Sequence, residues 1–446
     1  MITKSFLFNV INRKKIIDLS FWILLFLGLM ALAPLTKLSF SILGVSCILA
    51  IITFPYYAKY WQTLTPLLKA ALIISLVNFL WMVITFYLGE QTRMGNNLLW
   101  SRHVVWIFLI PVLFILAFQN NYAINKRRFS ILVFATALVF GAYGIWDSLI
   151  SPNIEYGGRA AGGMNPIEYG AICASLFAVT FLIGINYWRD DRQVASLFFA
   201  MSLLTLFATL LTLSRGSWVA LLVVIIFLFS LYLRQWQNKY RIGVGLFLIA
   251  ITLVAIQTPI VNERIEQAKS DIALYMASEL ANDAQRSTST GARLEMWRAS
   301  WEIFLDNPLF GVGVGSYQNY AQKLSEEGKV NSIAAKYYHS HNQYFSALAT
   351  RGLVGLILLC MLLGAVFRFY WVVYRKATTP FVRTVAVSGL SVTLIYITAG
   401  MFDVPVEGKP TLVFFVFVNA LLIALIVRSA PSLALMPVDG SDQAFK

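Results

Sequence analysis

A chain of 446 residues that is 59% hydrophobic and only 13% charged carries more apolar surface than a water-soluble fold of that length can bury. That excludes an ordinary soluble enzyme and places the chain in a bilayer. The formal net charge of +14 sits largely in short loops, where it reads as a topological signal, and no basic, aromatic-interleaved module is present to hold nucleic acid.

In chain order, apolar runs long enough to cross hydrocarbon fall near 19–36, 39–54, 67–88, 103–119, 129–149, 167–187, 195–213, 217–234, 241–257, 343–373, 382–401 and 411–427, about twelve spans in all. The second is short enough to be re-entrant. The expected fold class is therefore an all-α integral membrane protein. The N-terminus (Lys4, Arg13, Lys14, Lys15) is basic, and so are alternate loops: Lys126-Arg127-Arg128, Arg189 with Arg192, Arg234 with Lys239 and Arg241, and Arg375-Lys376 with Arg383. By the positive-inside bias these loops and both termini are expected in the cytoplasm. The first run has no small-residue cleavage site and leads directly into further spans, so it reads as a retained helix. Cys47, Cys173 and Cys360 lie inside apolar runs at no metal-ligand spacing and read as packing residues.

One connection is long. Residues 258–342 separate the ninth and tenth spans, dividing one integrated domain into spans 1–9 (1–257), an outer helical loop or lid (258–342), and spans 10–12 with a cytoplasmic tail (343–446). Within the loop, Val261, Ile265, Ala268, Ile272 and Tyr275 recur at helical steps. A second amphipathic helix is expected over "STGARLEMWRASWEIFLDNP", capped by Ser289 or Thr290, with Leu294, Trp297, Trp301 and Phe304 as its stripe and Asn307-Pro308 as its stop. Both stripes suit either a membrane interface or packing within the loop. "GVGVGSY" at 311–317 superficially resembles a phosphate loop, but no strand precedes it and no Lys-Ser/Thr follows, so a flexible turn is expected.

The outer face also carries arginines that run against the positive-inside bias: Arg159 in "YGGRAAGGMNP", Arg215 in "LTLSRGSW" and Arg293 in "STGARLEMW". Forked, permanently charged guanidinium groups suit a diphosphate. Outer carboxylates, among them Glu155, Glu168, Glu295, Asp403 and Glu407, are scattered, with no Asp-x-Asp pair for magnesium, so no metal and no cofactor are expected. Two of only three histidines, His339 and His341, stand at the outer mouth of the tenth span, where a neutral imidazole can accept a proton.

The pattern His341-Asn342, nine residues, Gly352, two residues, Gly355 resembles the signature of the O-antigen ligase and polymerase superfamily of bacterial membrane glycosyltransferases. The likeness extends to "LTLSRGSW", to "TGARLEMWRASWEIFLDNPLFGVG" and to the order of spans around one long outer loop. What the resemblance implies is a GT-C-like architecture and transfer at the periplasmic face of the inner membrane. The implied donor is a glycan on undecaprenyl diphosphate, the implied acceptor a sugar hydroxyl of lipid A–core, and the surrounding partners are membrane lipids. Carried over residue by residue, His341 is the implied general base, with Arg215 and Arg293 on the diphosphate. Arg159, His339 and Asn342 join them as substrate-binding residues. The chemistry implied is a metal-independent, inverting displacement. An O-antigen polymerase and a protein O-oligosaccharyltransferase share the pattern. The compact loop and the absence of a large soluble C-terminal domain lean towards the ligase. A transporter is the rival of another class, disfavoured because the polar groups gather on one face, Arg351 excepted, and no repeat is visible.

Overall fold

The computed structural model describes residues 4–120, 122–232, 259–277 and 286–436. Its helices are α1 (Lys4–Ala31), α2 (Thr36–Tyr57), α3 (Pro66–Leu88), α4 (Arg93–Leu98), α5 (Val105–Phe118), α6 (Lys126–Ile145), α7 (Pro166–Tyr187), α8 (Arg192–Leu211) and α9 (Arg215–Tyr232). Next come α10 (Pro259–Ala277), α11 (Ser289–Asp306) and α12 (Tyr317–Glu326), then α13 (Gln343–Lys376), α14 (Pro380–Ala399) and α15 (Lys409–Ser429). A helix covers every expected span except 241–257, which lies outside the described residues together with Arg234, Lys239, Arg241 and the tail from 437 onward. The second span is no short re-entrant piece: α2 has 22 residues. Among the described residues, nine helical segments are long and apolar enough to cross a membrane, and Arg215–Leu231 is a shorter apolar helix.

Local sequence sets the helix starts. Proline opens α3, α7, α14 and α15, where its missing N–H is no loss. Asn125 and Asp191 cap α6 and α8 through their side-chain oxygens. At the centre of the bundle α15 is almost wholly enclosed, with α7 and α14 against it. Small residues on α7 (Gly170, Ala171, Ala174, Ala178) are buried and allow close helix approach. Buried hydroxyls such as Ser175, Thr180, Ser388 and Ser391 donate to the carbonyl four residues back, so they need no water. Peripheral helices instead expose Ile48, Leu203 and Ile226, side chains that acyl chains can cover.

The loops sort to two ends. At one end Lys126 pairs with Asp190 at 3.1 Å, and Arg428 donates to the carbonyls of Ala117 and Gln119. At the other, Thr36 donates to Gly163, Arg159 to Thr212, Lys323 to Glu90, and the Gln343 N–H to the Gly400 carbonyl.

The connector at this second end has its own core, made by Ala292, Met296, Ala299 and Ile303 of α11 with Tyr317, Ala321 and Leu324 of α12. This is a different face of α11 from the expected stripe. Trp301 stays exposed and Trp297 turns toward α13. Thr288, not Ser289 or Thr290, caps α11. On α10 Ile272 is exposed and Tyr275 faces α11, so that stripe is split as well. Glu295, fully buried, accepts from the Tyr275 hydroxyl at 2.8 Å, the Asn331 N–H at 2.9 Å and the Arg286 guanidinium, tying three segments together. The 311–317 stretch is a packed strap rather than a flexible turn. Val312 and Gly313 donate to the carbonyls of Ala349 and Thr350 at 3.0 Å, and a Cβ on Gly315 would lie 2.3 Å from Gly95 Cα.

Candidate active site

The N-terminus of α13 is built around an unusual residue. His341 adopts φ 46°, in the left-handed region that a non-glycine residue enters only when its surroundings compel it. The constraints are visible. Asn342 caps α13 by accepting from the N–H groups of Tyr344 and Phe345, and its amide nitrogen donates to the Met401 carbonyl at 3.1 Å. Ser340 donates to the Asn342 carbonyl at 2.9 Å. The His341 N–H donates to His339 Nδ1 at 3.1 Å.

That last bond makes His339 Nδ1 an acceptor, and burial, helped by His341 and Arg102 and outweighing the opposite pull of Asp403, pushes the His339 pKa down to about 4, so the ring is neutral near neutrality. His341 faces a carboxylate: its Nδ1 lies 3.1 Å from Asp403 Oδ1. A carboxylate there fixes the proton on Nδ1 and leaves the Nε2 lone pair free to accept another. Burial acts to raise the Asp403 carboxyl, but the His341 hydrogen bond and the two imidazoles outweigh it and hold Asp403 below the usual carboxylate range.

The arginines approach from two other elements. On α11, Trp297 Nε1 donates to the Ser340 carbonyl at 3.0 Å and the Trp297 ring stacks on Phe345. Arg293 lies one helical turn before Trp297 on the same face, and so comes to the same segment. Arg293 makes no hydrogen bond or ion pair among the described residues; burial and Arg215 lower its pKa, against the pull of Asp403 and Tyr337. Arg215 begins α9 and donates from Nη2 to Ser289 Oγ at 3.3 Å. The next residue, Gly216, packs where a Cβ would lie 2.6 Å from Phe402 Cβ, which sets the Arg215 turn against the loop that carries Asp403.

The structure thus gathers Arg215, Arg293, His339 and His341. Arg159 reaches the same turn, donating from Nε to the Thr212 carbonyl at 2.7 Å. Asn342 has a different part from the substrate contact expected of it: it is buried, and its side chain is engaged in capping and in holding the 400–408 loop. Asp403 was legible only as one of several scattered acids, because it stands 62 residues from His341 and no local pattern links the two. By donor type, His339, His341 and Asp403 could hold a metal, since their ligand atoms lie within 4.8 Å of one another. Against a cation stand Arg293, within electrostatic range of Asp403, and the use of His341 Nδ1 and His339 Nδ1 in hydrogen bonds.

Residues 200–360, which include Arg215, Arg293, both histidines and the glycine pair 352 and 355, match the family model described as O-antigen ligase. Over that segment, about a third of its length, the chain is similar to the O-antigen ligase family. It is 19% identical over 393 residues to the O-antigen ligase of Escherichia coli, covering 87% of this chain and 88% of that protein. An uncharacterized protein of Haemophilus influenzae is 27% identical over 268 residues, and the ComP-specific O-oligosaccharyltransferase of Acinetobacter baylyi 21% identical over 300. The chain aligns with 64% and 47% of the lengths of these two relatives, and 59% and 66% of the chain takes part. Arg159 and Asp403 lie outside the matched segment and are brought to it by folding.

Proposed function

We propose that this protein transfers a glycan from undecaprenyl diphosphate to a sugar hydroxyl of lipid A–core at the extracytoplasmic face of the bacterial inner membrane. The observation that carries this reading is a carboxylate-oriented imidazole, His341 with Asp403, in the same loop cluster as Arg215 and Arg293. The basic loops 126–128, 189–192 and 375–383 favour the cytoplasm for their end of the bundle, which gives the histidine end the opposite side. The exposed Trp301, Leu305 and Phe310 suit a connector that lies against the interface as a lid over the headgroup.

In the reaction, His341 Nε2 takes the proton of the acceptor hydroxyl as its oxygen attacks the anomeric carbon. The bond from that carbon to the diphosphate oxygen breaks, and its electron pair leaves with undecaprenyl diphosphate. Arg215 and Arg293 stabilise the charge that grows on the leaving group, where forked donors in a partly buried site act most strongly. Asp403 steadies the imidazolium that forms. His339, neutral, holds the His341 backbone. Arg159 would add a donor for an outer phosphate oxygen. One displacement inverts the anomeric centre, and no metal takes part.

The near end-to-end alignment with the Escherichia coli O-antigen ligase favours lipid A–core as acceptor over a protein, since less than half of the Acinetobacter baylyi relative is matched. Purified protein given lipid-linked glycan and lipid A–core in chelator should yield a glycolipid of inverted configuration. A product with retained configuration, or activity that chelator abolishes and magnesium restores, contradicts the mechanism. Transfer to a growing lipid-linked glycan or to a protein instead would replace the acceptor.

A further inference from the structure

Helix α13 is interrupted ten residues after its cap: Gly352 has φ 67° and ψ −168°. A Cβ there would lie 2.2 Å from the Leu309 carbonyl oxygen, so only glycine fits. Three residues on, a Cβ on Gly355 would lie 2.2 Å from Arg351 Cβ. Between these two glycines' demands the chain holds Arg351, one of the most deeply buried large side chains in the molecule at 1% exposure. Its position is over-determined. Trp81 Nε1 donates to its carbonyl at 3.0 Å, and the strap at Gly311 closes on its backbone nitrogen.

Arg351 Nη2 donates to Glu407 Oε1 at 2.6 Å, and Ser346 donates to the other carboxylate oxygen at 3.2 Å. Glu407 ends the loop that carries Asp403. The rest of that loop is fastened to the same stretch of α13 and its cap: Asn342 to Met401, the Gln343 N–H to Gly400, and the Val406 N–H to Gln343 Oε1 at 3.0 Å. The loop is therefore pinned at one end by the cap and at the other by the Arg351–Glu407 pair, with Asp403 between.

Stability alone is a poor reason for this pair. Arg351 Nη1 and Gln343 Nε2 are buried and have no partner among the described residues. A buried ion pair left partly unsatisfied is commonly no better for folding than apolar side chains of the same size. We propose that Arg351 and Glu407 are positioning residues, which set the loop so that Asp403 meets His341 Nδ1, and that Gly352 and Gly355 serve to place Arg351. The proposal rests on the catalytic reading of His341 for its consequence in turnover, while its geometric content stands apart from that reading.

The test uses full-length protein in lipid nanodiscs with 15N-labelled histidine; with only three histidines in the chain, the imidazole resonances are few enough to assign by substitution. In Arg351→Met/Glu407→Leu, the pair is replaced by apolar side chains of similar volume. The expected result is a folded protein whose His341 Nδ1 resonance moves as it does in Asp403→Asn. Turnover should fall about tenfold or more while the KM for lipid-linked donor stays within about twofold, the pattern of a transition-state effect rather than of lost binding. Added to Asp403→Ala, the pair substitution should cause no further loss, because both act through one contact. Gly355→Ala should reproduce the same resonance shift. An unmoved His341 resonance, or losses that multiply with Asp403→Ala, overturns the proposal. Should the double variant fail to fold, Glu407→Gln, which keeps the shape and removes the charge, is read by the same resonance with the same two outcomes. If the wild type transfers no glycan, the functional reading fails and the resonance still decides the geometric one.

Discussion

His341 Nδ1 and Asp403 Oδ1 stand 3.1 Å apart, although 62 residues and two helix passages separate them in the chain. This contact orients an imidazole at a helix mouth, as the proposed base at His341 requires.

His341→Ala is expected to lower turnover by about 10²–10⁴-fold, the usual range for a lost general base. Asp403→Asn, which keeps the shape and removes the charge, should lower turnover with little change in the KM for donor. Both variants should reach the membrane at wild-type levels. Steady-state transfer assays on purified protein check this, and wild-type turnover in either variant removes that residue from the chemistry.

In the proposed mechanism Arg215 and Arg293 stabilise the leaving group. Each alanine substitution should weaken transfer by about 10–100-fold, corresponding to a charge-assisted hydrogen bond of roughly 1.5–3 kcal/mol. Arg293→Lys should recover only part of the loss, because a point charge cannot reproduce a forked contact. Full rescue by lysine would show that charge alone suffices.

His339 gives the fold a pH dependence. The folded ring holds its proton only below about 4, whereas an unfolded histidine takes one up near 6.5. Between those values the unfolded chain binds more protons, so stability falls as pH drops from about 6.5 toward about 4 and returns as pH rises. In His339→Asn, whose side-chain oxygen can replace the Nδ1 acceptor, the thermal midpoint should decline less steeply over that window. Parallel curves for the two proteins would contradict the assignment.

Glu295 holds the connector that delivers Arg293. Removing it takes this carboxylate from the buried Arg286 and one acceptor from each of Tyr275 and the Asn331 N–H. Glu295→Ala should destabilise the protein by about 3–5 kcal/mol, the range for breaking a buried ion pair from one side. Thermal unfolding measures this, and protease nicking between residues 259 and 342 should rise with it.

Much of this was legible in the sequence because bilayers impose simple rules. Apolar run length predicted the helices, and the sidedness of the loops predicted that His339, His341 and the outer arginines share one end of the bundle. What was not legible came from long-range packing. The aromatic stripe of α11 is prominent in sequence, yet the face of Ala292, Met296, Ala299 and Ile303 forms the connector core. The glycines at 311, 313 and 315 read as a flexible turn, and their function of letting backbones touch depends on partners near residues 95 and 351. Asp403 and Glu407 carry no local signature at all, since their partners lie on α13 and the turn before it.

The most direct test is a structure of the protein with its lipid-linked donor bound. The diphosphate should contact both Arg215 and Arg293, with the anomeric carbon turned toward His341 Nε2 and room for an acceptor hydroxyl between them. A diphosphate bound at the opposite end beside Lys126 and Arg128, or a donor whose sugar cannot approach His341, would contradict the account.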